Sequence, residues 1–183
     1  IERGKAKAHL GDFGAATMDF TEALKYQPNN IMALYSRGLA RHDRGDIAGA
    51  IADFNDVLDL APRFVQGYYA RAVARASGGK FKAAIVDFDK ALEGSPDNPA
   101  ILLFRAHTNL ALKQYDEAIT DYEQVLRIAP GTPQAVLGRG RAKIGKGDTR
   151  SGEEDYAVAR RMSPGIVPPA ADHTFATSIK LFN

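Results

Sequence analysis

The sequence predicts an all-helical array of stacked antiparallel helix pairs, and three observations carry that prediction. Pro28, Pro62, Pro96, Pro130 and Pro164 stand 34 residues apart. On the same period very small residues align at Gly4, Gly38, Ala72, Ala106 and Gly140, and again at Ala16, Ala50, Ala84, Ala118 and Gly152. Aromatic rings align at Phe20, Phe54, Phe88, Tyr122 and Tyr156, each followed three residues later by Ala or Val. One aligned column could be chance. Columns that agree through five periods mark an architecture in which each unit buries its apolar face only against its neighbours.

The period divides the chain into repeats 1–30, 31–64, 65–98, 99–132 and 133–166, the first lacking its opening turn. Each reads as two helices, as over 31–44 and 47–60. Between them Gly11-Asp12, Gly45-Asp46 and Gly147-Asp148 mark a turn, with Gly79-Lys80 and Lys113-Gln114 as variants. The glycine ends the first helix because it tolerates positive φ, and the aspartate caps the second by accepting backbone N–H bonds. Small residues on both helices let the axes approach, and the ring fills the remaining space. Proline stops the second helix or opens the next pair. Each helix is about 20 Å long, too short to hold alone. The tail, 167–183, has lost the period. Pro168-Pro169 makes a stiff joint, and Phe175, Ile179 and Phe182 share one side of a short helix. That helix is expected either to cap repeat five or to dock on a second copy and make a homodimer; the array ends are a second route to a dimer.

This pattern resembles the tetratricopeptide repeat (TPR) family, whose period is 34 residues. The resemblance covers residues 1–166 and implies a TPR solenoid: a right-handed superhelix whose first helices line a concave, partner-binding face. The chain departs from the family at one place. Where the first helix usually carries an aromatic, Arg41, Arg75 and other polar residues stand. The Arg-Gly…Asp-Phe style is most similar to bacterial members.

Two columns are wholly charged. Arg3, Arg37, Arg71, Arg105 and Arg139 precede the small column, and Asp19, Asp53, Asp87, Asp121 and Asp155 precede the aromatic one. Strict register predicts a structural ladder of partly buried Arg–Asp pairs, each guanidinium holding a carboxylate by two parallel bonds. An Arg row that binds an acidic ligand is the alternative. A carboxylate available in every repeat favours the ladder.

Composition removes several functions. The 24 basic and 22 acidic residues leave a net charge of only +2, without the basic footprint of a nucleic-acid binder. The absence of cysteine excludes disulfides, thiolate metal sites and a cysteine nucleophile, and fits either the bacterial cytoplasm or the periplasm. No apolar run reaches the roughly 20 residues of a membrane span. Gly140 to Gly147 nearly spells a phosphate-binding loop, but Gly147 stands where that motif needs Ser or Thr, and each glycine already belongs to the repeat. Arg44-Gly45-Asp46 matches a cell-adhesion tripeptide but sits on the turn every repeat needs. His9, His42, His107 and His173 lack the spacing of a helical metal site. No catalytic residues, metal or cofactor are expected.

The phase of the first helices places Tyr35, Leu39, Tyr69, Val73, Leu103, His107, Leu137 and Arg141 on the inner face, with Lys5, Met32, His42, Gln66 and Gln134 beside them. Some are expected to be packing contacts between repeats instead. One TPR subclass clamps chaperone carboxylates with Lys, Asn, Asn, Lys and Arg; Ile1, Lys5, Ser36, Gln66 and Ala70 occupy those positions here and cannot make that clamp. Repeat five carries seven basic and four acidic residues, a polar end for the array or a docking patch for an acidic partner. The expected function is a protein-interaction scaffold or adaptor binding a peptide or helix with apolar anchors and acidic character. Alternatives are a TPR segment of a larger secretion, assembly or enzyme protein, which the opening at Ile1 would fit, and a less expected RNA-binding helical repeat.

Overall fold

The computed structural model describes residues 1–166, and the expectations about the 167–183 tail lie outside them. Ten helices follow one another among the described residues: α1 (Glu2–His9), α2 (Phe13–Tyr26), α3 (Ile31–Asp43), α4 (Ile47–Leu60), α5 (Val65–Ser77), α6 (Phe81–Gly94), α7 (Pro99–Ala111), α8 (Tyr115–Ile128), α9 (Pro133–Lys146) and α10 (Thr149–Met162). They form two compact units, one holding α1–α5 and the other, from Phe81 onward, α6–α10. The division falls inside repeat three, between its two helices. In the first unit α3 packs on α2, α4 and α5; in the second α7 packs on α6, α8 and α9.

The ring column supplies the core. Phe20, Phe54, Phe88 and Tyr122 are fully buried. In the first unit Phe20 lies among Ala8, Ala16 and Ala40, and Phe54 among Leu39, Ala50, Ala70 and Ala74. The small column makes room for these rings. A Cβ on Gly38 would stand 2.6 Å from the edge of the Phe54 ring, so the ring rests directly on the α3 backbone. Repeat five goes further. A Cβ on Gly140 would meet the Gly152 carbonyl oxygen at 2.8 Å, and one on Gly152 would meet the Gly140 carbonyl oxygen at 2.7 Å, so α9 and α10 touch backbone to backbone.

All five turns share one hydrogen-bond pattern. The N–H of the residue after the glycine position reaches back five residues: Asp12 to Lys7, Asp46 to Arg41, Lys80 to Arg75, Gln114 to Asn109 and Asp148 to Lys143, at 2.8–2.9 Å. The glycine-position N–H bonds the carbonyl three residues back, completing a Schellman motif that satisfies the last carbonyls of the first helix. Asp12, Asp46 and Asp148 then turn their side chains forward to cap the second helix at Ala15, Gly49 and Ser151.

The motif requires a left-handed residue, and Gly11, Gly45, Gly79 and Gly147 supply it with φ of 81°, 87°, 73° and 102°. Repeat four places Lys113 there at φ 61°, the one described non-glycine residue with positive φ. A side chain in that region costs about 1–2 kcal/mol. Lys113→Gly is therefore expected to stabilise the protein by about 1 kcal/mol after the added freedom of the unfolded chain is subtracted. A urea midpoint that rises in this variant, and falls in Gly45→Ala, supports the assignment; a fall in Lys113→Gly contradicts it.

Candidate functional site

The candidate faces lie on the first helices, and what holds those helices is a set of ion pairs spaced 16 residues apart. Arg3 grips Asp19 through Nε and Nη2 at 2.8 and 2.6 Å. Arg37 grips Asp53 with its shortest bond at 2.7 Å, Arg105 grips Asp121 at 2.9 and 2.7 Å, and Arg139 grips Asp155 at 2.9 and 2.6 Å. Asp53, Asp121 and Asp155 are buried, whereas the Arg3 side chain on α1 is 75% exposed. Arg71 belongs to the first unit and Asp87, itself buried, to the second.

The structure adds two layers to the ladder. First, the polar residues replacing the family aromatic are further cations on the same carboxylates: Lys7 on Asp19 at 2.9 Å, Arg41 on Asp53 at 2.8 Å and Lys143 on Asp155 at 2.9 Å. Second, the guanidinium also reaches backwards by 16 residues. Arg37 donates to Thr21 at 3.4 Å, Arg71 to Asn55 at 2.8 Å and Arg105 to Asp89 at 2.6 Å. Arg37 thus ties α3 to both α2 and α4, and Arg105 ties α7 to both α6 and α8. The sequence carried a signal for this, since a polar residue follows the ring in the first four repeats: Thr21, Asn55, Asp89 and Glu123.

The eight inner-face residues divide by burial. In the first unit Tyr35 and Tyr69 are half-buried, but Leu39 is 7% exposed and Val73 fully buried. Leu39 packs with Ala50, Phe54, Ala70 and Ala74, so it belongs to the core. Tyr35 turns its ring toward Phe54 at 5.9 Å and edge-on to Phe64 at 5.3 Å, which fixes the side chain while part of it stays open. Burial pushes the Tyr69 hydroxyl up to about 12, with Tyr35 adding to the shift, so both phenols are neutral donors at ordinary pH. His42 is buried, its Nδ1 2.9 Å from Asp43 and its Nε2 3.1 Å from Ser77, and so serves packing.

In the second unit Leu103, His107 and Arg141 are half-buried, while Leu137 is 9% exposed and packs with Val136 and Ala159. Leu39, Val73 and Leu137 are therefore core residues, whereas Leu103, His107 and Arg141 at the same repeat positions stay partly open. His107 stands edge-on to the Tyr122 ring at 5.5 Å. Burial lowers its imidazole to about 4, helped by the charge of Arg141, so it is neutral at pH 7. Under it the Tyr122 hydroxyl is buried without a hydrogen-bond partner among the described residues. Gly138 admits that hydroxyl, since a Cβ there would lie 2.6 Å from the oxygen. Four cations project from α9. Arg139, Lys143 and Lys146 each lie on a carboxylate (Asp155, Asp155 and Asp116), and Arg141 lies on none among the described residues.

No group of acidic or histidine side chains among the described residues could hold a metal, and no described helix is long and apolar enough to cross a membrane. Helix pairs on a 34-residue period, with half-exposed rings and cations on their first helices, define a helical-repeat scaffold of the protein-interaction class. Two tetratricopeptide repeat models match, over residues 1–63 and 75–134, and the chain belongs to the tetratricopeptide repeat family. Comparison with curated proteins by sequence gave no match. Among solved structures, a MamA protein is 25% identical with a TM-score of 0.80 over 88% of each chain. MamA from Desulfovibrio magneticus RS-1, from residue 41 to its end, is 16% identical with a TM-score of 0.84 over 89% of this chain and 92% of that one. YrrB, described as a TPR protein with an unusual peptide-binding site, is 16% identical with a TM-score of 0.78 over 90% and 85%. The last two show likeness of fold.

The ladder makes stability depend on pH. Arg3 and then Lys7 hold the Asp19 carboxyl well below the usual range. Burial alone would raise Asp155, but Arg139 and Lys143 outweigh it and leave its carboxyl lowered. A carboxyl depressed in the folded state contributes stability above its unfolded value, near 4, and loses it as pH falls through the folded value. Wild-type urea midpoints should fall steadily from pH 5 to pH 2. Asp155→Asn should start lower at pH 7 and fall less steeply; parallel curves would contradict the assignment.

Proposed function

We propose that the protein is a non-catalytic interaction scaffold whose first-helix faces receive an extended or helical segment of a partner protein. In the second unit Leu103 is its apolar anchor; in the first unit Tyr35 and Tyr69 offer a face of their own. His107, neutral at pH 7, is a polar contact, and Arg141 receives an acidic side chain or terminus. The observation that carries this reading is Arg141: it is half-buried on a helix whose other three cations are all neutralised, and a guanidinium in that setting calls for a carboxylate. Half-exposed tyrosines on rigid helices suit recognition because they bring large contact area with little rotamer entropy to lose. The peptide-binding site in YrrB's description lends the reading support by likeness of fold.

Peptides selected from a random library on the wild-type protein should share an acidic residue and an aliphatic or aromatic one. Their affinity should drop at least about tenfold in Arg141→Glu, the equivalent of about 1.4 kcal/mol, and by a similar factor in Leu103→Ala, in the same unit. Far-UV circular dichroism should be unchanged in both variants. Selected peptides that bind Arg141→Glu as tightly as the wild type would defeat the proposal.

A further inference from the structure

Repeat four departs from the ladder, and the departure opens a second site on the side of the helices that carries the ladder. In repeats one, two and five the ladder aspartate takes a second cation from the first helix, Lys7, Arg41 or Lys143, at 2.8–2.9 Å. Repeat four has Asn109 at that position. Asp121 is left with Arg105 as its one cation among the described residues. A cleft of about 460 Å³ opens there between α6, α7 and α8. Its lining includes the carboxylates of Asp89, Asp116, Glu117 and Asp121 against the single guanidinium of Arg105, with Lys146 reaching Asp116 from α9. Asn109 is 5% exposed and lines the cleft, and its side-chain amide makes no hydrogen bond to any described residue. Its main-chain carbonyl is engaged by the Gln114 N–H.

An amide met only by solvent is free to bond an incoming group, and a buried carboxylate favours any cation that can reach it. The other repeats show which chemistry completes the arrangement: an ammonium or guanidinium set against the free side of the aspartate. We propose that this cleft is a docking site for a lysine or arginine side chain of a partner polypeptide, which takes the place that Lys7, Arg41 and Lys143 fill from within the chain. The incoming cation sits among Asp121, Glu117 and Asp116 and accepts a hydrogen bond from none of them; it donates to their oxygens and to the Asn109 carbonyl of the side chain. The site is distinct from the proposed partner-binding residues, since neither Arg141, Leu103 nor the tyrosines line it.

The test is a titration of the ¹⁵N-labelled full chain with Nα-acetyl-lysine methylamide and, separately, its arginine counterpart. Both should produce saturable shifts in the Asn109 side-chain amide and the Thr120 backbone amide. The uncharged norleucine analogue should produce none. Asn109→Lys restores the internal cation and should abolish saturation while raising the melting temperature. Glu117→Gln, at an exposed position that leaves the fold intact, should weaken binding severalfold and carries the test if Asn109→Lys does not fold. Arg141→Glu should bind the probes as the wild type does. Shifts that persist in a folded Asn109→Lys protein, that magnesium chloride reproduces at equal concentration, or that never saturate would overturn the proposal.

Discussion

A carboxylate buried beside the aromatic column is the constraint from which the rest of the array follows. Asp53 and Asp121 are almost sealed from water, and a carboxylate there is tolerable only where donors surround it. The donors come from a different helix, 16 residues earlier, so satisfying the charge sets how the two helices of a repeat lie against each other. The planar guanidinium is bidentate toward the following helix and leaves its remaining nitrogen to reach the preceding one. One side chain therefore fixes three helices. A hydrophobic contact, being non-directional, would not hold them to one angle.

The small and aromatic columns work within that constraint. Ion pairing holds the helices in register, and glycine or alanine lets the rings settle against backbone, as Phe54 does on Gly38. Where both facing positions are glycine, as at Gly140 and Gly152, the helices come into main-chain contact. The Schellman turn closes each pair, and its demand for a left-handed residue is strong enough to hold Lys113 at positive φ. With the helices fixed in this way, partly exposed residues such as Tyr35 and Arg141 project from a rigid support, which lowers the ordering cost of any partner they bind.

Much of this was legible because repetition multiplies weak signals. A single Gly-Asp pair is an ordinary turn; the same pair at positions 11, 45 and 147 marks a register, and the helix ends follow from it. The inner face was less legible. Helical phase put Leu39, Val73 and Leu137 beside Tyr35 and Arg141, yet those three aliphatics are core. Phase gives the direction of a side chain but not the depth of the neighbouring helix that covers it. The second cations on the ladder were visible as residues, at Lys7, Arg41 and Lys143, and only the packing of α1, α3 and α9 showed what they neutralise. The division between α5 and α6 has no compositional mark within repeat three.

The ladder is tested most directly in repeat four, where Asp121 has Arg105 as its one described cation and no second partner blurs the result. A double-mutant cycle over Arg105→Ala and Asp121→Ala, read as unfolding free energy in urea, isolates the pair. The two single losses are expected to overlap, with a coupling of about 1.5–3 kcal/mol, the range for hydrogen bonds to charged groups. Losses that add to within about 0.5 kcal/mol would show the two side chains to be independent and would contradict the ladder.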